Sequence, residues 1–187
     1  MNLSKELKKG KIAVIPTDTI YGIVCSALNQ GTVEKIYTLR KRSPDKPMIV
    51  LISSLDDLKL FDIQIDSATR KLLEQIWPNP VSVVLPCNNS EFEYLHRGTN
   101  TLAFRMSKDG KLLEILKISG PLVAPSANFE GEKPAETTEE AKNYFGDDVD
   151  FYVDGGNVKG QSSTLIDIKD GKINVLRQGV YKFTDLG

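Results

Sequence analysis

The chain is poor in the side chains that most often carry metal and redox chemistry: its 187 residues include two cysteines and one histidine. Cys25 and Cys87 lie far apart and neither belongs to a C-x-x-C pair, which leaves zinc and dithiol redox centres without support. Both are expected as reduced, buried thiols. A Ser-His-Asp triad would have to use His96. That residue stands in the polar stretch EYLHRGTN, which reads as a surface loop. The single tryptophan, Trp77, precedes Pro78 and is expected in the core. No apolar run approaches the ~20 residues that span a membrane. The opening MNLSKELKKGKIAVIP has no apolar stretch of signal-peptide length, so the expected location is the cytoplasm. There is no G-x-x-x-x-G-K-[ST], and GGNVKG is neither G-x-G-x-x-G nor the start of a helix. A net charge of -1 excludes a general polyanion sink, so a basic site must be local. Aromatic residues at 7% are too few for a platform that stacks single-stranded bases.

What is present suits one domain over residues 1–187. A 40% hydrophobic fraction can build a core without disulfides or metal. Helical spacing marks residues 3–9, 55–61, 67–76 and 111–118. Residues 31–42 read as a helix with Val33, Ile36, Tyr37 and Arg40 on one face, ended by Pro44. Thr137-x-x-Glu140 reads as a capping box opening a helix to about Phe145. Short β-branched runs mark strands at KIAVIP, IVCSAL, PMIVLIS, VSVVLP, TLAFRM, PLVAPS, DFYVD, STLIDI and INVLRQG, the last two joined as a hairpin at 169–172. Strands alternate with helices and a hairpin closes the chain. This predicts an α/β fold with a twisted, open, mixed sheet flanked by helices. Ligands in such folds gather at loops beyond strand ends, here PTDT, the loop after VAP, and DGGNVKGQSS.

Four constellations could carry chemistry. LRKRSPDKP sets Arg40, Lys41 and Arg42 together, with Lys46 close behind. Cations at a helix end complement its dipole, which is the bland reading. The sharper reading is an anion clamp, because arginine forks suit phosphate oxygens and Pro44 and Pro47 stiffen the loop. APSAN ends a strand in small polar residues, either an ordinary turn or a place where a ligand meets backbone, hydroxyl and amide. PTDT places two hydroxyls and a carboxylate after a buried strand, as a capped turn or a binding loop. Alternation along TLAFRM puts Thr101, Ala103 and Arg105 on one face, so Arg105 is either a surface pair or a carboxylate grip. Ser162, Ser163, Thr164 and Arg177 are weaker candidates.

The order of these motifs is more specific than any one of them. GKIAVIPTDTIYG, IYTLRKRSPDKPMIVL, WPNPVSVVLP, TLAFRM, PLVAPSANFEGEKP, SSTLIDI and VLRQG together resemble the YrdC/TsaC family of threonylcarbamoyl-AMP synthases, from residue 10 to about 179. Ser126-Ala127-Asn128 matches that family's S-x-N. In the register fixed by Asp45-Lys46-Pro47, Arg40 stands at the lysine of the family's K-x-R and Arg42 at its arginine. A shift of one uses Lys41 and loses Arg42.

The resemblance implies a concave basic cavity in a twisted α/β sheet, and a reaction. L-threonine, bicarbonate or CO2, and ATP become threonylcarbamoyl-AMP and pyrophosphate, with Mg²⁺ carried on the ATP. The product feeds a separate transferase complex that modifies tRNA, and weak tRNA or dsRNA binding is possible. The resemblance assigns Arg40, Arg42, Pro44, Lys46, Ser126 and Asn128 to the phosphates and adenylate. Pro134, Thr101 and Arg177 fall to the nucleotide. Arg105 takes the threonine carboxylate, with Thr17, Ala124 and Ser163 beside that substrate; the Ala124 backbone also borders the nucleotide pocket. Two rival readings stand beside this one: a non-catalytic RNA-binding module, and a paralogue that adenylates another carbamoyl or acyl substrate.

Overall fold

The computed structural model describes residues 2–169 and 171–183. Helix α1 (Leu3–Lys8) precedes strands β1 (Ala13–Pro16) and β2 (Tyr21–Ser26), which pair antiparallel with Pro16 opposite Tyr21. The PTDT segment is therefore the tip of a hairpin. Helix α2 (Gln30–Leu39) follows, then β3 (Ile49–Ile52), α3 (Ser67–Ile76), β4 (Val81–Pro86), α4 (Glu93–His96), β5 (Thr101–Met106), α5 (Gly110–Ser119), β6 (Leu122–Val123), α6 (Thr138–Phe145), β7 (Phe151–Tyr152), β8 (Thr164–Lys169) and β9 (Lys172–Arg177). The strands form one mixed sheet in the order β7-β1-β2-β6-β3-β5-β4-β8-β9. Pairs β1–β7, β3–β5 and β4–β8 are parallel, and the others antiparallel.

Alternation along the strands divides the core into two layers. Val14, Cys25, Val50, Ile52, Val83, Phe104 and Val123 face one layer, with Val33 and Ile36 of α2, Leu73 of α3 and Phe145 of α6. Ala13, Ile15, Val24, Leu51 and Leu122 face the other, against Leu7 of α1 and Leu112 and Leu116 of α5. Between β7 and β8 the chain crosses from one sheet edge to the strand beside the other edge, passing the β1–β2 turn. The Tyr21 hydroxyl accepts from Gly155 N–H at 2.8 Å and donates to the Gly156 carbonyl at 2.9 Å. Gly160 then lies flat on the turn: a Cβ there would stand 2.0 Å from the Thr19 carbonyl oxygen.

Several expectations are corrected. Helix α2 stops at Leu39 rather than running to Arg42. Lys41 turns left-handed (φ 50°), and the N–H groups of Lys41 and Arg42 bond back to Thr38 and Tyr37. That closure normally uses glycine, so the sequence disguises it. Residues Leu55–Phe61 form a 3-10 helix. His96 is no surface residue: it is 3% exposed, with Nδ1 accepting from Gly98 N–H, because α4 ends on it and the chain folds back. The capping box at Thr137 is half formed. Thr137 Oγ1 accepts from Glu140 N–H, but the Glu140 carboxylate bonds Glu136 N–H instead. Trp77, Cys25 and Cys87 are buried, and burial pushes the Cys25 thiol up to about 12. Among the described residues, no helix is long and apolar enough to cross a membrane.

Candidate active site

A cavity of about 430 Å³ opens where the β1–β2 turn, the loop after α2, strand β5, the loop after β6 and the β8–β9 hairpin converge. Four arginines line it: Arg40, Arg42, Arg105 and Arg177. Among the described residues, no aspartate or glutamate lines it.

Arg40 caps α2 and is 3% exposed. Its Nε donates to the carbonyls of Ser126 (2.8 Å) and Asn128 (3.1 Å), and its Nη2 donates to Ser126 Oγ (3.1 Å). Its Nη1 has no hydrogen-bond partner among the described residues. Arg42 turns back on its own loop, donating from Nε and Nη2 to the Lys46 and Pro47 carbonyls. Arg177 donates to the Ser163 carbonyl at 2.9 Å. Arg105 is 4% exposed, and its Nη2 stands 3.1 Å from Asp18 Oδ1. This removes the surface-pair reading of Arg105: β5 is an interior strand, between β3 and β4, and its polar face looks into the cavity.

Burial pushes Arg40, Arg105 and Arg177 below the usual guanidinium range, Arg40 to about 10. Neighbouring arginines add to the effect: Arg42 acts on Arg40 and Arg177, and Arg177 acts on Arg105. All remain cationic at neutral pH. Cations crowded around one cavity, with the Asp18 carboxylate buried beside Arg105, give it a charge that suits a multiply charged anion.

Of the residues singled out in the sequence, Thr17, Arg40, Arg42, Thr101, Arg105, Ala124, Ser126, Ser163 and Arg177 line the cavity. The hydroxyl of Thr17 is committed to its turn, donating to Ile20 C=O (2.7 Å) and accepting from Thr19 and Ile20 N–H. Ser163 Oγ is paired with Ser82 Oγ at 2.8 Å. Asn128, Pro44, Lys46 and Pro134 are not among the lining residues. Asn128 is buried behind Ser126, its amide donating to the Phe129 and Glu132 carbonyls. Pro44 borders a separate hollow beside Tyr94 and Arg97. Pro134 precedes Ala135, whose N–H bonds the Ala127 carbonyl. Lys41 also turns away, with its ammonium 3.9 Å above the Phe129 ring. Of Arg40 and Lys41, Arg40 faces the cavity. Thr19, the second hydroxyl of PTDT, also lines the cavity, whereas sequence reasoning missed Tyr21, Thr99 and Leu165. Alternation past Ser163 and Thr101 was the available signal for Leu165 and Thr99.

Lys46 is held by Glu130, which ties the loop after α2 to the loop after β6. Glu130 accepts from Lys46 Nζ (2.9 Å) and Ser43 N–H (2.7 Å), and its own N–H bonds the Arg40 carbonyl (2.8 Å). The Lys46 bond, then the Ser43 N–H, draw the Glu130 carboxyl down to about 2. A lowered folded-state value contributes stability above the unfolded value of about 4.3, and loses it as pH falls toward 2. Glu130→Gln is therefore expected to melt below wild type at pH 7. The gap should close between about pH 4 and pH 2 in a series of thermal melts. A gap that does not change with pH would remove the carboxylate from this role.

Known proteins resemble this chain over most of its length. The Sua5/YciO/YrdC family model, described as Telomere recombination, matches residues 5–179. The threonylcarbamoyl-AMP synthase of Pyrococcus abyssi is 32% identical over 177 residues, covering 92% of this chain and 52% of that one. The enzyme of the same name from Pseudoalteromonas translucida is 30% identical, covering 89% and 91%. The chain thus spans about half the length of the Pyrococcus relative and most of the Pseudoalteromonas one. The crystal structure of P. abyssi Sua5 complexed with L-threonine superposes with a TM-score of 0.84 at 30% identity, covering 94% of this chain and 52% of that one. E. coli YciO shares the fold, with a TM-score of 0.83 at 22% identity and coverages of 97% and 89%. Since the match runs from the first helix to the last strand, the protein belongs to the Sua5/YciO/YrdC family.

Proposed function

We propose that this chain is an L-threonylcarbamoyladenylate synthase acting on L-threonine, bicarbonate or CO2, and ATP. The observation that carries the reading is the set of four arginines on one cavity, in a fold whose relatives bear that name. The threonine amine adds to CO2 to give a carbamate, losing one proton. A carbamate oxygen then attacks the α-phosphorus, and the bond to the bridging oxygen breaks as pyrophosphate leaves. Negative charge gathers on the phosphates, and fixed cations stabilise it where it develops. Arg40, Arg42 and Ser126 Oγ meet the phosphates, with Thr101 and Arg177 toward the nucleotide. Arg105 takes the threonine carboxylate through its planar fork, with Thr17, Ala124 and Ser163 around it.

Residues set back from the cavity support this arrangement. Asn128 and Lys46 act through the loops they brace, and Pro44 and Pro134 shape those loops. Mg²⁺ fits as a passenger on ATP, shielding phosphate charge, because the lining offers hydroxyls and cations rather than carboxylate ligands. Residues 1–187 act as one domain, and its product would pass to a transferase complex acting on tRNA. Weak RNA binding at the basic cavity mouth is compatible with this.

Pyrophosphate release from ATP in bicarbonate buffer tests the reading, with L-threonine, with L-serine and with neither. Release should require threonine. Release driven by another acceptor would move the protein to a different adenylation substrate. No release from folded protein under any condition, with salt-sensitive tRNA binding, would favour the RNA-binding module.

A further inference from the structure

The hairpin tip delivers one carboxylate to a deeply buried arginine of the cavity, Arg105. Asp18 and Arg105 are each 5% exposed in their side chains and meet at 3.1 Å. Among the described residues, neither Asp18 oxygen has a hydrogen bond of good geometry and Arg105 Nε has no partner. An ion buried with no hydrogen bonds is costly unless a charge beside it compensates, and Arg105 is the charge present. The placement is specific. Thr17 and Thr19 line the cavity, whereas Asp18 between them does not. The Thr17 hydroxyl locks the turn through its bonds to residues 19 and 20, so Asp18 is presented from a fixed backbone. Arg105 is fixed in turn on β5, opposite Leu51 of β3.

We propose that Asp18 is the positioning residue for Arg105. It holds the guanidinium from the side away from the cavity and leaves the cavity-facing N–H groups to receive the carboxylate of the amino-acid substrate. This rests on the reading that Arg105 takes that carboxylate. The two buried oxygens have no solvent surface, so the role is orientation and charge balance rather than proton transfer to substrate. Without Asp18, Arg177 across the cavity repels a guanidinium that nothing holds back. The cost should fall on the amino acid, whose carboxylate needs a defined fork, and not on the triphosphate, which meets other arginines.

Isothermal titration of L-threonine and of ATP against the full chain tests this. Asp18→Asn keeps the shape and removes the charge. It should weaken threonine binding about tenfold or more and leave ATP within about twofold. Asp18→Glu should recover part of the loss. In an Arg105→Met background, Asp18→Asn should change threonine affinity no further, because its effect passes through Arg105. If Asp18→Asn does not fold, Asp18→Ser carries the same comparison. Wild-type threonine affinity in the Asp18 variants, or equal weakening of both ligands, would overturn the proposal while leaving the role of Arg105 standing. Unchanged threonine affinity in Arg105→Met alone would overturn the reading beneath it.

Discussion

Arg105→Ala is expected to abolish threonine-dependent pyrophosphate release and to lower the melting temperature at the same time. Two costs combine, and they can be separated. Truncating one partner of a buried, hydrogen-bonded charge pair costs about 2–5 kcal/mol, which is ~30-fold to several-thousand-fold in kcat/KM for threonine. Independently, Asp18 is left as an unpaired carboxylate, and breaking a buried pair costs about 3–5 kcal/mol of stability. For a chain of this size that is a drop of roughly 10 °C. The double variant Asp18→Asn, Arg105→Met removes both charges and should regain most of the melting temperature. It should regain none of the activity. Activity that returns with the melting temperature would mean that Arg105 serves the fold and not the substrate.

Arg40→Ala should be nearly as damaging, through a different route. The Arg40 guanidinium fastens the Ser126–Asn128 segment by its backbone, so its loss frees two carbonyls and a hydroxyl in a buried place. Hydrogen bonds to a charged group contribute about 1.5–3 kcal/mol each, although they are not additive. The expected result is a loss of ATP affinity of ~100-fold or more, with a lower melting temperature. Arg40→Lys decides between charge and geometry. An ammonium keeps the charge, but it cannot reproduce the planar fork that reaches Ser126 and Asn128 together. Intermediate ATP affinity with a melting temperature near that of the alanine variant would mark the fork as the bracing element. Full recovery of both by lysine would show that charge alone is needed.

The contrast between Arg40 and His96 illustrates what the sequence could convey. Local signals were legible. Residues 67–76 read as a helix and are one, because Asp66 caps its first turn and Trp77 leaves in extended backbone before Pro78. The face Thr101, Ala103, Arg105 read from alternation and does line the cavity. Signals failed where a residue took an uncommon local role. Lys41 adopts the left-handed closure that glycine normally fills, so the basic run looked helical. His96 is buried by a four-residue helix too short to leave a periodic trace. The braces of the site could not be read at all. Arg40 meets Ser126, Lys46 meets Glu130 and Asp18 meets Arg105 across long chain separations, and no pattern of neighbours encodes such pairings.

The path of the chain across the sheet also bears on synthesis. Cavity walls come from both ends of the sequence, Thr17 and Thr19 near the start and Ser163 and Arg177 near the finish. A nascent polypeptide therefore has no closed pocket until Arg177 has left the ribosome. Until β8 arrives, β4 presents its Val-rich side as an unpaired edge, open to wrong partners. A chain halted at about residue 160 would thus expose that edge and lack the wall formed by Ser163 and Arg177.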